Sequence, residues 1–165
     1  MAIIKKWKPL KQTQLIGPFR CKSFFFKFAK NFLQIILSFL NNLHDEEILI
    51  VMNKNRNLGS EKFKKFGYKI KFISNNNNLK EIIDKFNPDV ICNDLLNTTT
   101  KYMKNLKKFD CVLVNFEDLG EGRKLADLVF NPIYYAKNSN KNEFYGEKFA
   151  CVREEFRIQK RNRIR

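Results

Sequence analysis

Residues 110–131 read DCVLVNFEDLGEGRKLADLVFN. An apolar run, Cys111 to Val114, meets an acidic loop with Asn115, Glu117 and Asp118. A Gly-x-Gly turn at Gly120 and Gly122 follows, and then a second apolar run, Leu128 to Phe130. Short continuous apolar runs bounded by turn residues are how strands covered on both faces look in one dimension. The polar residues between them then belong to the crevice beyond the strand ends. The stretch predicts two buried strands and a binding site, without naming a ligand.

Working outward, the same pattern repeats. Glu47 to Met52, EILIVM, is a continuous apolar run and so a doubly covered strand, with a helix expected around Glu61 to Phe66. Tyr68 to Ile73 alternates apolar residues with lysines, as a strand nearer an edge does. Leu79, Ile82, Ile83 and Phe86 make one apolar stripe of a helix that Pro88 ends. Asp89 to Cys92 starts the next buried strand, terminating in Asn93 and Asp94. Thr98 to Thr100 then offers hydroxyl caps for a helix through Leu106. Strands alternating with helices predict an α/β fold, a Rossmann-like parallel sheet with helices on both faces.

Ligands of such sheets bind beyond the carboxyl ends of the strands, where loops and helix amino termini converge. The residues placed there are Asn53 and Asn55, Asn93 and Asp94, and Asn115 to Asp118. Carboxylates in this position suit hydroxyls or a sugar ring. For Asp94 and for Asp118 taken singly, capping the next segment is an equally good reading.

Residues 1–21 are irregular, and between Lys22 and Leu43 the spacing of Phe25, Phe28, Phe32, Ile36, Phe39 and Leu43 predicts a helix. Two settings suit it: packed on the sheet, or lying as a Phe-rich amphipathic helix on an anionic membrane surface, with Lys27 and Lys30 at its polar edge. Lys27, Lys30, Asn31 and Gln34 interrupt the run too often for a spanning helix. The amino terminus lacks the form of a signal peptide.

The 165 residues suffice for one domain with a core, and 44% hydrophobic with 14% aromatic content argues against wholesale disorder. The net charge of +15 raises nucleic acid as a partner. Its lysines are scattered, however, and the dense cluster Lys160, Arg161, Arg163 and Arg165 reads as a solvated tail over residues 157–165, so nucleic-acid binding is not expected. Cys21, Cys92, Cys111 and Cys151 are far apart and His44 is the sole histidine, which leaves no paired ligands for zinc and suits a reduced, cytoplasmic protein. No cofactor is expected. Neither the serines nor His44 forms a legible nucleophile and base pair.

Several words in order carry a resemblance: Phe116-Glu117-Asp118-Leu119-Gly120, Ala126-Asp127-Leu128-Val129, Tyr145-Gly146 and Arg153-Glu154-Glu155-Phe156, with Pro88-Asp89-Val90-Ile91 and Asn93-Asp94 upstream. Over residues 47–156 the chain resembles the amino-terminal half of the spore-coat polysaccharide and pseudaminic-acid type nucleotide-sugar hydrolases, relatives of glycosyltransferases with paired Rossmann-like halves. The resemblance implies water-mediated release of UDP from a UDP-linked amino sugar, without a metal, in making surface-glycan precursors. It implies substrate contacts from Gly17, Arg20, Asn93, Asp94, Asn115, Glu117 and Asp118. It also implies a second domain or a second polypeptide that binds the nucleotide. Two departures stand out. The family's Gly-x-Gly-His loop before Arg-Cys is here Ile16-Gly17-Pro18-Phe19, followed by Arg20-Cys21, so the second Gly and the catalytic His are missing. The first-strand region is KKWKPLKQTQ. The expectations are therefore no catalytic residue in that loop, little turnover by this chain, and a sheet without its first strand, poorly soluble through its exposed edge. A non-catalytic domain binding a sugar or a partner chain, and a basic membrane-surface protein, are the alternatives.

Overall fold

The computed structural model describes residues 23–28, 47–54, 60–74, 77–135 and 140–150. Its strands are β1 (Ser23–Phe28), β2 (Glu47–Asn53), β3 (Lys69–Ile73), β4 (Val90–Asp94), β5 (Val112–Phe116), β6 (Leu128–Asn131) and β7 (Glu143–Tyr145). The helices described are α1 (Ser60–Lys65), α2 (Asn77–Phe86) and α3 (Thr100–Leu106), with 3-10 turns at Glu121–Leu125 and Glu147–Phe149. The strands form one sheet of order β3-β2-β1-β4-β5-β6-β7, and every neighbouring pair is parallel. The direction of winding reverses between β1 and β4. That reversal opens the crevice in which doubly wound sheets take their ligands.

Alternation along the strands divides the core in two. Ile48, Ile50 and Met52 of β2 share one face with Val90, Cys92, Val112, Val114 and Phe116, and α1 covers it with Phe63. Leu49, Val51, Ile91, Leu113 and Val129 point to the other face, under Leu79 and Ile83 of α2 and Met103 and Leu106 of α3. Helices therefore lie on both faces, which is why β2, β4 and β5 carry continuous apolar runs rather than alternating. On the first face Phe116, Phe130 and Phe144 sit in register on β5, β6 and β7 and stack at 5.7 and 5.2 Å between ring centres.

Helix ends follow local chemistry. Gly67, at φ +81°, closes α1: its amide donates to Lys64 O and that of Tyr68 to Phe63 O, the pairing of a Schellman cap. Asn87, at φ +49°, closes α2 just before Pro88. Thr99 opens α3, its hydroxyl accepting from the Tyr102 amide.

One expectation is corrected. Ser23–Phe28 is not the start of a helix over 22–43; it is β1, bonded in parallel to β2 on one side and β4 on the other. Three consecutive phenylalanines favour extended backbone, and the gap between β2 and β4 offers main-chain partners on both edges. The sheet consequently has its central strand, and the edge that its loss was expected to expose is filled. Lys27 belongs to this strand, so the proposed membrane-facing helix loses its first turns; the rest of that segment, 29–43, lies outside the described residues. Among the described residues no helix is long and apolar enough to cross a membrane.

Candidate functional site

Five of the expected residues meet at the carboxyl edge of β4 and β5, and they divide into two groups. Asn93, Asn115 and Asp118, all fully buried, belong to a closed hydrogen-bond chain on the α3 side of the sheet. Tyr102 Oη donates to Asn93 Oδ1 (2.6 Å), Asn93 Nδ2 to Asn115 Oδ1 (2.9 Å), and Asn115 Nδ2 to Asp118 Oδ2 (2.6 Å). The Asp118 carboxylate also accepts from the Thr98 amide (2.9 Å), the Thr98 hydroxyl (2.5 Å) and the Gly120 amide (2.9 Å). The Asp118 carbonyl accepts from Asn131 Nδ2 (3.0 Å). A carboxylate with four donors is committed to the fold. Asp118 ties the loop after β4 to the loop after β5, and so takes the capping role.

The glycines serve the same junction. Gly120 has φ −72° and Gly122 is absent from the positive-φ residues, so neither is needed for backbone freedom. A Cβ on Gly120 would run into the Thr98 main chain, and one on Gly122 would come within 2.5 Å of Thr98 Oγ1 and 2.6 Å of Thr99 O. The Gly-x-Gly pair lets the 3-10 turn lie directly on the amino end of α3. Arg123 secures the turn through Nη1 to the carbonyls of Leu119 and Gly120 and through Nε to Glu143 at 3.6 Å.

Asp94 and Glu117 form the second group, and their condition is the opposite. Both are more than nine-tenths buried, yet among the described residues Asp94 Oδ2 and both carboxylate oxygens of Glu117 have no hydrogen-bond partner. Among the described residues no salt bridge reaches either, although lysines pair with Glu47, Glu61, Glu121 and Asp127 elsewhere. Burial, and secondarily the charge of Glu117, pushes the Asp94 carboxyl up to about 7. Burial pushes Glu117 up to about 7 as well. Glu117 is also held at φ +53°, a left-handed conformation that costs a non-glycine residue on the order of 1 kcal/mol or more. Its amide is anchored to Phe130 O at 2.8 Å. Asp94 ends β4 in register with Phe28 at the end of β1, so it stands at the reversal of strand order, with Glu117 just past the end of the adjacent β5.

Asn131 adds a fourth such acceptor oxygen, Oδ1, at the end of β6. All the unpartnered oxygens at this edge are acceptors, so the complementary ligand carries N–H or O–H donors. The loops beyond the same strands expose Leu96, Leu119, Ile133 and Tyr135. Among the described residues no three His, Cys, Asp or Glu side chains group to hold a metal. A groove of about 860 Å³ lies apart from the pair, between α2 and α3, over Leu79, Ile83 and Phe109.

Gly17 and Arg20 lie outside the described residues, as do Asn55, Cys21, His44 and Cys151. Asn53 ends β2 and is half-buried. Cys92 is buried as expected of a small apolar residue, and burial raises the thiol of the half-buried Cys111 to about 12. Sequence reasoning missed Asn131, and it gave Thr98 only a capping role. The available signal was repetition: β2, β4, β5 and β6 each carry an asparagine at or next to their carboxyl end.

No known protein family matches the chain, and no solved structure matches it. An uncharacterized protein of Methanocaldococcus jannaschii is similar, with 27% identity over 132 residues. The similarity takes in 73% of this chain but 27% of that protein, so the chain spans about a quarter of the length of its relative.

Proposed function

We propose that this chain is the sugar-holding domain of a nucleotide-sugar hydrolase, the amino-terminal half of an enzyme that releases UDP from a UDP-linked amino sugar for surface-glycan synthesis. One observation carries the reading: two buried carboxylates, Asp94 beside the reversal of strand order and Glu117 just past the neighbouring strand, have oxygens without a hydrogen-bond partner among the described residues. Leaving such groups unpaired costs stability, and a ligand's donors offset that cost. The hydroxyl and amide N–H groups of an amino sugar supply donors of that kind, whereas a diphosphate would be repelled. The nucleotide then falls to a second domain or partner polypeptide. Exposed Leu96, Leu119, Ile133 and Tyr135 around the crevice suit such a cover.

Saturation-transfer NMR with UDP-N-acetylglucosamine and UDP-linked diacetamido sugars tests this. The sugar and acetamido protons should saturate more strongly than those of uridine, and Asp94→Asn should weaken binding at least tenfold. Absence of binding by every sugar, or saturation confined to uridine, would overturn the proposal. The non-catalytic alternative predicts the same binding with no UDP released.

A further inference from the structure

We infer that Glu117 is the general base that deprotonates the attacking water, in place of the histidine missing from residues 16–21. This rests on the proposed nucleotide-sugar reading and assigns a role that the resemblance gives to another loop. Three observations on separate features converge on Glu117. Glu117 is 3% exposed and, among the described residues, neither carboxylate oxygen has a hydrogen-bond partner, so neither is committed to the fold. Its backbone is held at φ +53°, and the hydrogen bond its amide N–H donates to Phe130 O holds that geometry, so strain is retained where asparagine or glycine would sit with less. Its neighbour Asp118 is locked by four donors, which makes the loop a rigid mount for the residue before it.

Asp94 faces the same crevice from β4 and, as a second carboxylate beside Glu117, favours one proton between the two. The base is thereby neither fully protonated nor fully ionised near neutrality, the condition under which a carboxylate accepts a proton effectively. In the reaction, a water proton passes to a Glu117 carboxylate oxygen as the water oxygen's electron pair forms the bond to the anomeric carbon. The bond from that carbon to the diphosphate oxygen breaks, its electron pair leaves with UDP, and Glu117 then returns the proton to solvent. Tyr102 is not a competitor for this role: burial raises its hydroxyl and its proton is committed to Asn93.

The test measures binding and turnover separately, on the chain as it is, with the UDP-linked sugars used above and water enriched in oxygen-18. At saturating UDP-linked sugar, Glu117→Gln should release UDP at least a hundredfold more slowly than wild type, a general-base loss separate from any change in affinity. Glu117→Asp should recover part of the rate, and the heavy oxygen should appear on the sugar's anomeric carbon and not in UDP. UDP release by Glu117→Gln within threefold of wild type would overturn the inference. So would heavy oxygen in the UDP, or a wild-type chain that binds sugar yet releases nothing. Failure of the wild type to bind any of the sugars would instead bring down the nucleotide-sugar reading, and this inference with it. Circular dichroism melts of both variants confirm that a lost rate is not a lost fold.

Discussion

Glu117 and Asp118 are adjacent in sequence, both acidic and both buried, and their surroundings could hardly differ more. Asp118 receives four donors from three segments and joins them. Glu117 receives none at its carboxylate and is held in a strained backbone. The α3 side of this edge, from Tyr102 through Asn93 and Asn115 to Asp118, is a completed polar network. The side facing the strand-order reversal, Asp94 with Glu117, is left incomplete. A fold gains nothing from burying an unpaired carboxylate, so the incomplete side is where a ligand is expected and the complete side is what holds it still.

The largest effect should come from breaking the complete side. Asp118→Ala removes an acceptor from Thr98, Asn115 and Gly120 at once and leaves their buried donors unpaired. A loss of about 3–5 kcal/mol is expected, enough to unfold a marginal domain, and urea denaturation would measure it. If the loss is under about 1 kcal/mol, Asp118 is not the junction described. Next in size is Gly120→Ala, whose methyl group meets the Thr98 main chain, which cannot yield as a flexible side chain would. About 1–3 kcal/mol should be lost as the 3-10 turn lifts from α3. Glu117→Gln, by contrast, should leave the urea midpoint at or above that of wild type.

The comparison also separates what the sequence discloses from what it cannot. Strands β2, β4 and β5 were readable because burial on both faces demands continuous apolar runs, and Pro88 and Thr99 mark helix ends by local chemistry. Ser23–Phe28 was misread because Phe25 and Phe28 fit a helical step while three consecutive phenylalanines fit a strand equally well. Only the slot between β2 and β4, assembled from residues far along the chain, decides it. β7, three residues long, is too short to show any period. At the site, the acidic residues were identifiable as strand-end groups, but which acid caps and which stays free depends on Thr98 and Gly120 reaching Asp118 rather than Asp94. The left-handed backbone of Glu117 has no signature at all, since sequence alone would place asparagine or glycine there.

The incomplete side should show itself through pH. Asp94 and Glu117 titrate near 7 in the folded chain, against ordinary values of 3.8 and 4.5. The folded state therefore binds their protons more tightly than the unfolded chain. Their contribution is favourable at low pH, declines as pH rises from about 4 to about 7, and is constant above that. Asp94→Asn abolishes one of these titrations. The variant should lie close to wild type in urea at pH 4 and exceed it by a few kcal/mol at pH 8. A difference that is the same at both pH values would mean that Asp94 has a partner in solution.

The smallest effect isolates backbone strain from charge. Replacing Glu117 by Gln removes the charge and keeps the strain, whereas Glu117→Asn removes the charge and also installs a residue that tolerates φ near +53°. Neither variant carries a charge here, so backbone strain and one methylene of side chain are what distinguish them. Asn should then gain on the order of 1 kcal/mol over Gln, read as a shift in the urea midpoint. Equal midpoints would mean that the left-handed turn costs glutamate nothing, and the contrast with Asp118 would then rest on hydrogen bonding alone. A gain, together with loss of sugar binding by the shortened side chain, would show a residue kept in a costly conformation for the reach of its carboxylate into the crevice.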